Sequence, residues 1–182
     1  MTGILKVDQI QNNTGTNVMT FDTAGNASAA GLITKPNLPY FLVQSQHVDV
    51  TYTNQVIPYS NVIVDQGNNY DTTNYCFTAP ITGVYMFSFT CNGITNNADR
   101  CYIQRANDGS TYYNIDSRGE TLYGETSTNG LHARGSAAVS DYYYMGLQVP
   151  LKVNSGGKVR VRVNAGSVNT FHANFFTGYL IG

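Results

Sequence analysis

The residues able to do chemistry are few and scattered. His47, His132 and His172 are far apart in the chain, and none has a second candidate ligand at metal spacing. They read as solvated or hydrogen-bonded histidines rather than metal ligands. Cys76, Cys91 and Cys101 are odd in number and lack metal spacing. Cys91 and Cys101 could face each other across a hairpin, but buried reduced thiols in a cytoplasmically made protein are the preferred reading. Asp108, Asp116, Glu120 and Glu125 fall in or near loops. No loop concentrates enough oxygens for calcium, so they read as solvated turn carboxylates. There is no Gly-x-Ser-x-Gly elbow, His-Glu-x-x-His helix or Gly-x-Gly-x-x-Gly loop, and Gly157-Lys158 lacks the rest of a phosphate loop. The expectation is a protein that is not an enzyme and carries no cofactor or metal. A glycan-active enzyme would need paired carboxylates at a set separation, and ranks last.

Composition points to β structure. The 182 residues are 42% hydrophobic and only 12% charged, half the usual charged share of about 25%. Such a chain can build a core and is neither charge-solvated disorder nor a coiled coil. Gly (18) and Tyr (14) are abundant and Trp is absent; Tyr suits pleated surfaces and Gly suits turns. A net charge of −1 and pI near 6.2 give no field for nucleic acid. The densest basic run, Lys158–Val163, alternates strictly, so it reads as a strand with Val on one face and cations on a solvated or interface face. No apolar run approaches the roughly 20 residues of a membrane helix, and Met1–Ile10 does not read as a signal peptide.

The elements that position these residues are short strands. Pro36 and Pro39 mark a boundary, predicting an arm over 1–36 and a head over 37–182. In the arm, Thr2–Gln11 and Val18–Asp22 alternate like strands, whereas Ala27–Gly31 is small and featureless. In the head, strand-like runs cover Tyr40–Gln44, His47–Tyr52, Gln55–Pro58, Asn61–Val64, Tyr75–Thr78, Gly83–Cys91, Arg100–Ala106, Thr111–Ile115, Ala137–Val149, Lys158–Asn164 and Phe171–Ile181. Arg118–Ser136 reads as an exposed loop with at most one edge strand. Many short strands with polar, Gly-rich turns predict an all-β antiparallel sandwich. On Val84–Phe89, Val84, Met86 and Ser88 face one way while Tyr85, Phe87 and Phe89 face the other. Two apolar faces predict a strand between its own core and a subunit contact. Tyr142-Tyr143-Tyr144 alternates similarly and suits edge-strand packing, or glycan or protein contact.

Several runs resemble the complement one-q and tumour-necrosis-factor-like superfamily. They are Pro58–Ile63, Asn69-Tyr70-Asp71, Phe77–Ser88, Met145–Lys152 with Ser155–Val159, and the closing Phe176–Ile181, together spanning about residues 40 to 182. The resemblance implies an antiparallel jelly-roll sandwich that packs as a homotrimer. Its core and trimer signature would be Tyr70, Phe77, Pro80, Gly83, Tyr85, Phe87, Phe89, Phe176, Gly178, Tyr179 and Leu180. Usual members follow a collagen-like or stalk region, and no Gly-X-Y repeats occur here.

Ile4–Thr16 followed by Met19–Asp22 resembles the opening segment of virion proteins of tailed, especially cyanobacterial, phages. That implies a virion protein assembled in the host cytoplasm and anchored through Ile4, Leu5, Val7, Ile10, Met19 and Phe21. The partners expected are the chain itself, other virion proteins, and a host surface glycan or protein, with no nucleic acid and no membrane insertion. The leading expectation is a homotrimeric surface appendage, either a short receptor-binding tail fibre or a capsid decoration protein. A secreted complement-like binding module is the alternative.

Overall fold

Alternation of covered and uncovered side chains, the period of a sheet with one face on a core, runs through the strands that build the head. It is visible in β4 (Tyr40–Gln44), where Phe41 and Val43 are fully buried and Tyr40 is exposed. The structure is a computed structural model describing residues 9–11, 14–24, 26–29, 38–46, 50–93, 100–115, 121–124, 130, 132–134, 143–166, 168–169 and 174–181. The chain divides into two compact units, Met1–Pro36 and Asn37–Gly182. Helices are absent among the described residues.

In the first unit, β1 (Gln9–Gln11), β2 (Asn17–Phe21) and β3 (Ala27–Ala29) form a three-stranded antiparallel meander. Gly15 adopts φ +81 in the first turn, where a side chain would be strained. Asp22 holds the second turn: its Oδ1 accepts hydrogen bonds from the amides of Ala24 (2.9 Å) and Asn26 (2.8 Å). That turn makes Ala27–Ala29 a strand, where its small side chains had suggested none. Of the expected anchoring residues, Ile10 is exposed and Met19 and Phe21 are half-buried. Ile4, Leu5 and Val7 lie outside the described residues.

The second unit is a sandwich of two antiparallel sheets. The inner sheet is built on β9 (Gly83–Gly93). One side of β9 pairs along its length with β14 (Tyr143–Val153). The other side pairs with β17 (Phe175–Leu180) and β16 (Val168–Asn169). Beyond β17 come β4 and β6 (Asn61–Gln66), and β5 (Thr51–Tyr52) pairs with β16. The outer sheet runs β12 (Thr121–Gly124), β11 (Tyr113–Ile115), β10 (Arg100–Ala106), β15 (Lys158–Ala165), β8 (Cys76–Thr78), β7 (Tyr70–Asp71), with β13 (His132–Arg134) also on β10.

Three differences from expectation have physical causes. The Arg118–Ser136 stretch contributes two strands, β12 and β13, which find partners on β11 and β10 despite weak local signals. Gln55–Pro58 is not a strand; it touches the outer sheet through a single bridge, Val56 to Arg162. Of the Ala137–Val149 run, residues 137–142 lie outside the described residues, and the described part is β14, which continues through Pro150 to Val153. Its described pairing is with β9 alone, so Pro150 sits on an edge where its missing N–H costs no ladder bond.

Aromatic rings from both sheets fill the space between them. Phe41 stacks on Phe77 at 4.9 Å between centroids and meets Phe176 edge-on at 4.9 Å. Phe77 in turn meets Tyr85 and Phe87 edge-on at 5.4 and 5.8 Å. Offset and edge-to-face contacts of this kind each add about 0.5–1.5 kcal/mol beyond area burial. Two of the buried tyrosines keep a partner for the hydroxyl: Tyr85 donates to the Ile81 carbonyl (2.8 Å) and Tyr59 to the Thr90 carbonyl (2.7 Å).

Candidate functional site

The signature residues separate by sheet face. Tyr85, Phe87, Phe89, Phe77 and Phe176 are wholly buried inside the sandwich, and Tyr70 nearly so. Gly178 is also on the core face, where a Cβ would meet the rings of Phe87 (2.6 Å) and Phe41 (2.7 Å). Leu180 is partly buried against the same core. Pro80 and Gly83 bracket the turn into β9, and the Pro80 carbonyl accepts a hydrogen bond from the Ser155 hydroxyl (3.0 Å). Tyr179 faces the other way and is 43% exposed.

On that outward face the register lays down an apolar row. Tyr40 opposes Tyr179, Tyr179 opposes Met86, and Met86 opposes Pro150, crossing β4, β17, β9 and β14. Directly opposed residues share a face. The next row is Leu42, Thr177, Ser88 and Gln148. The inner sheet therefore carries apolar side chains on both sides, one lining the core and the other facing outward.

A second feature is a cleft of about 380 Å³ lined by Gln46, Tyr52, Gln55, Val56, Pro58, Ser60 and Tyr75. None of these is among the expected signature or anchoring residues, although Pro58 and Ser60 fall in the first run that resembles the superfamily. The segment forming one wall is tied to β15: Ile57 N–H donates to the Val161 carbonyl (3.0 Å) and Val163 N–H to that of Gln55 (2.9 Å). An Arg162 guanidinium N–H donates to the Asn54 carbonyl (2.8 Å). The other wall comes from the turn before β8, which ends on Tyr75 at φ +54. A bulky residue in the left-handed region is uncommon and costs energy. Asp71 fastens that turn, its Oδ1 accepting from the Thr73 and Asn74 amides (2.7 and 3.1 Å) and its Oδ2 from the Asn74 side chain (2.6 Å). These bonds, that from the Asn74 side chain foremost, hold the Asp71 carboxyl below its ordinary range. The lining carries phenol, amide and hydroxyl groups beside Val56 and Pro58, and no charged side chain. Such a lining suits an uncharged, hydroxyl-bearing ligand.

The remaining candidates serve structure. Val159, Val161 and Val163 are fully buried, as the alternation requires. The cations opposite are held by neighbours: Arg160 lies 3.5 Å over the Tyr112 ring and its Nε donates to Gln104 (3.0 Å), while Arg162 Nε donates to Asn164 (3.0 Å). His132 Nδ1 lies 2.8 Å from the Gly130 carbonyl and its ring packs 5.0 Å from that of Tyr102. Asp108 accepts from the Ser110 and Thr111 amides (2.9 and 2.8 Å), which pull its carboxyl down to about 2. Asp116, Glu120, Glu125, His47, His172 and Tyr142 lie outside the described residues. Among the described residues no group of three His, Cys, Asp or Glu is placed to hold a metal ion. Cys91 and Cys101 do face each other, but between the two sheets rather than across a hairpin, because β9 and β10 belong to different sheets.

Known proteins share this architecture. Human complement C1q tumor necrosis factor-related protein 3 is 25% identical over 148 residues, covering 80% of this chain and 52% of that protein. The mouse protein is 26% identical over the same shares. The chain thus spans about half the length of the curated relatives it matches. Among solved structures, the globular domain of zebrafish complement 1qA superposes with TM-score 0.56 at 14% identity, covering 80% of this chain and 98% of that one. The Eiger TNF of S. frugiperda gives 0.54 at 14% identity, over 79% and 94%. The C1q domain model matches residues 40–181, from the first residue of β4 to just past the last of β17. A match running through both sheets of the sandwich establishes that this chain belongs to the C1q domain family.

Proposed function

We propose that the chain is a non-enzymatic binding module that works as a homotrimer. Domains of the C1q and tumour-necrosis-factor-like kind typically form trimers and are generally binding modules. The observation that carries the reading for this chain is the outward apolar row Tyr40, Tyr179, Met86 and Pro150. A monomer gains nothing from an apolar face turned away from its own core, whereas a subunit contact buries it. The uncharged cleft between Tyr52 and Tyr75 supplies a place for a hydroxyl-rich ligand such as a neutral sugar.

Light scattering on the purified chain tests the assembly. The expected mass is three times the 19.9 kDa of one chain. Tyr179→Asp should lower it to a single chain with the β-sheet spectrum unchanged, because that ring lies outside the core. A wild-type monomer would sink the reading. Titration of neutral saccharides, followed through Tyr75→Ala, tests the cleft separately.

A narrower version places the trimer on the surface of a tailed-phage particle, as a short fibre or decoration protein. Its support is the first unit, whose three strands form a separate small sheet and whose sequence resembles virion arms. Particles purified from a producing host should then carry the chain, and particles assembled with Met1–Pro36 deleted from it should not.

A further inference from the structure

We propose that Cys91 and Cys101 close an intramolecular disulfide that clamps the two sheets together when the chain folds in an oxidising compartment, and that Cys76 stays a thiol. The inference is independent of what the module binds.

The sulfurs of Cys91 and Cys101 lie 2.9 Å apart, and both residues are wholly buried. That is closer than the ~3.5–4.0 Å of an ordinary van der Waals contact between carbons. They need close by less than an ångström to reach the ~2.05 Å of an S–S bond. Cys91 continues the core face of β9 after Tyr85, Phe87 and Phe89, and Cys101 faces it from β10 in the opposite sheet. The bond would therefore join the layers rather than neighbouring strands.

Cys76 is equally buried but placed elsewhere. It opposes Arg160 on one flank of β15, whereas Cys101 opposes Val163 on the other flank. Arg160 belongs to the outward row of β15 and Val163 to the core row, and opposed residues share a face. Cys76 thus sits on the outer side of its sheet, where its thiol is hydrogen-bonded to Tyr112. Of the three pairings available to three cysteines, the fold favours one.

The chemistry is thiol–disulfide exchange with a small-molecule disulfide of the oxidised glutathione class. One cysteine sulfur attacks the oxidant and forms a mixed disulfide, releasing one thiol. The second cysteine sulfur then displaces the remaining half. The S–S bond of the oxidant breaks, the Cys91–Cys101 bond forms, and two electrons and two protons leave with two small thiols. Burial of both sulfurs puts this step during folding, before the sheets close over them.

The experiment is to fold the full chain in oxidised and in reduced glutathione buffers, then quench free thiols under denaturing conditions. The expected results in the oxidised sample are one titratable thiol, a mass lower by two hydrogens, and a peptide map linking Cys91 to Cys101. The melting temperature should exceed that of the reduced sample by roughly 5–10 °C, since a short closed loop restricts the unfolded chain. Cys76→Ala should keep that shift, and Cys91→Ala with Cys101→Ala should abolish it. Three free thiols after oxidative folding, a link through Cys76, or chains linked to one another would each overturn the proposal. The thiol map is made on the wild-type chain, so it decides the matter even if a variant folds poorly.

Discussion

At the scale of single residues, the tightest constraint is Gly178. Its missing Cβ is what lets the Phe41 and Phe87 rings meet over β17. Gly178→Ala should destabilise the head by about 1–3 kcal/mol, the usual cost of forcing extra volume into a close-packed core, read from chemical denaturation. Phe176→Ala, which removes a fully buried ring touching Phe41, Tyr59 and Phe87, should cost about 3–5 kcal/mol in the same assay. If Gly178→Ala were neutral, the close approach of those rings would be wrong. Phe176 and Gly178 were legible through the family resemblance, whereas period-two alternation marks Tyr85, Phe87 and Phe89 as one face whatever their partners. The cleft was not. Its lining is drawn from residues 46–60 and from Tyr75, and no local pattern announces that Tyr75 takes a left-handed backbone.

Elements show where local signals stop being sufficient. Strands named from sequence include runs that alternate strongly, as in β15, whose core face of Val159, Val161 and Val163 is set by its own residues. β12 and β13 escaped because their strand character comes from pairing with β11 and β10, and tertiary context outweighs weak propensity. Turns are different, since a carboxylate that fastens its own turn acts locally. Asp108 fastens the turn between β10 and β11, and Asp71 the turn between β7 and β8. Both carboxyls are held below their ordinary values. A depressed carboxyl contributes stability that is fully present above the unfolded value of about 3.9 and is lost as pH falls through the folded one. For Asp108 that window runs from there down to about 2. Amide exchange at Ser110 and Thr111 should therefore speed up, relative to other turn amides, as pH drops through that window. Asp108→Asn should remove this pH dependence, because its amide oxygen accepts without titrating. Equal acid response in wild type and variant would show that the carboxylate does not hold the turn.

For the whole molecule, the two apolar sides of the inner sheet have separate roles, and substitutions can tell them apart. Phe87→Asp places an unpaired charge inside the sandwich and should yield unfolded or aggregated chains, whereas Tyr179→Asp should leave the fold and dissolve only the assembly. The first unit can be separated in the same way. Among the described residues, the buried core cluster runs from Phe41 to Phe176, and the residues of Met1–Pro36 whose burial is described are exposed or half-buried. Deleting Met1–Gly31 should accordingly leave a protein with an unchanged melting temperature and the mass of a trimer, checked by calorimetry and light scattering. A fall of several degrees, or dissociation to monomers, would mean that the first unit supplies packing to the head or its contacts. With stability and assembly intact, whatever function the truncated chain loses belongs to the arm, and whatever binding it keeps belongs to the C1q domain.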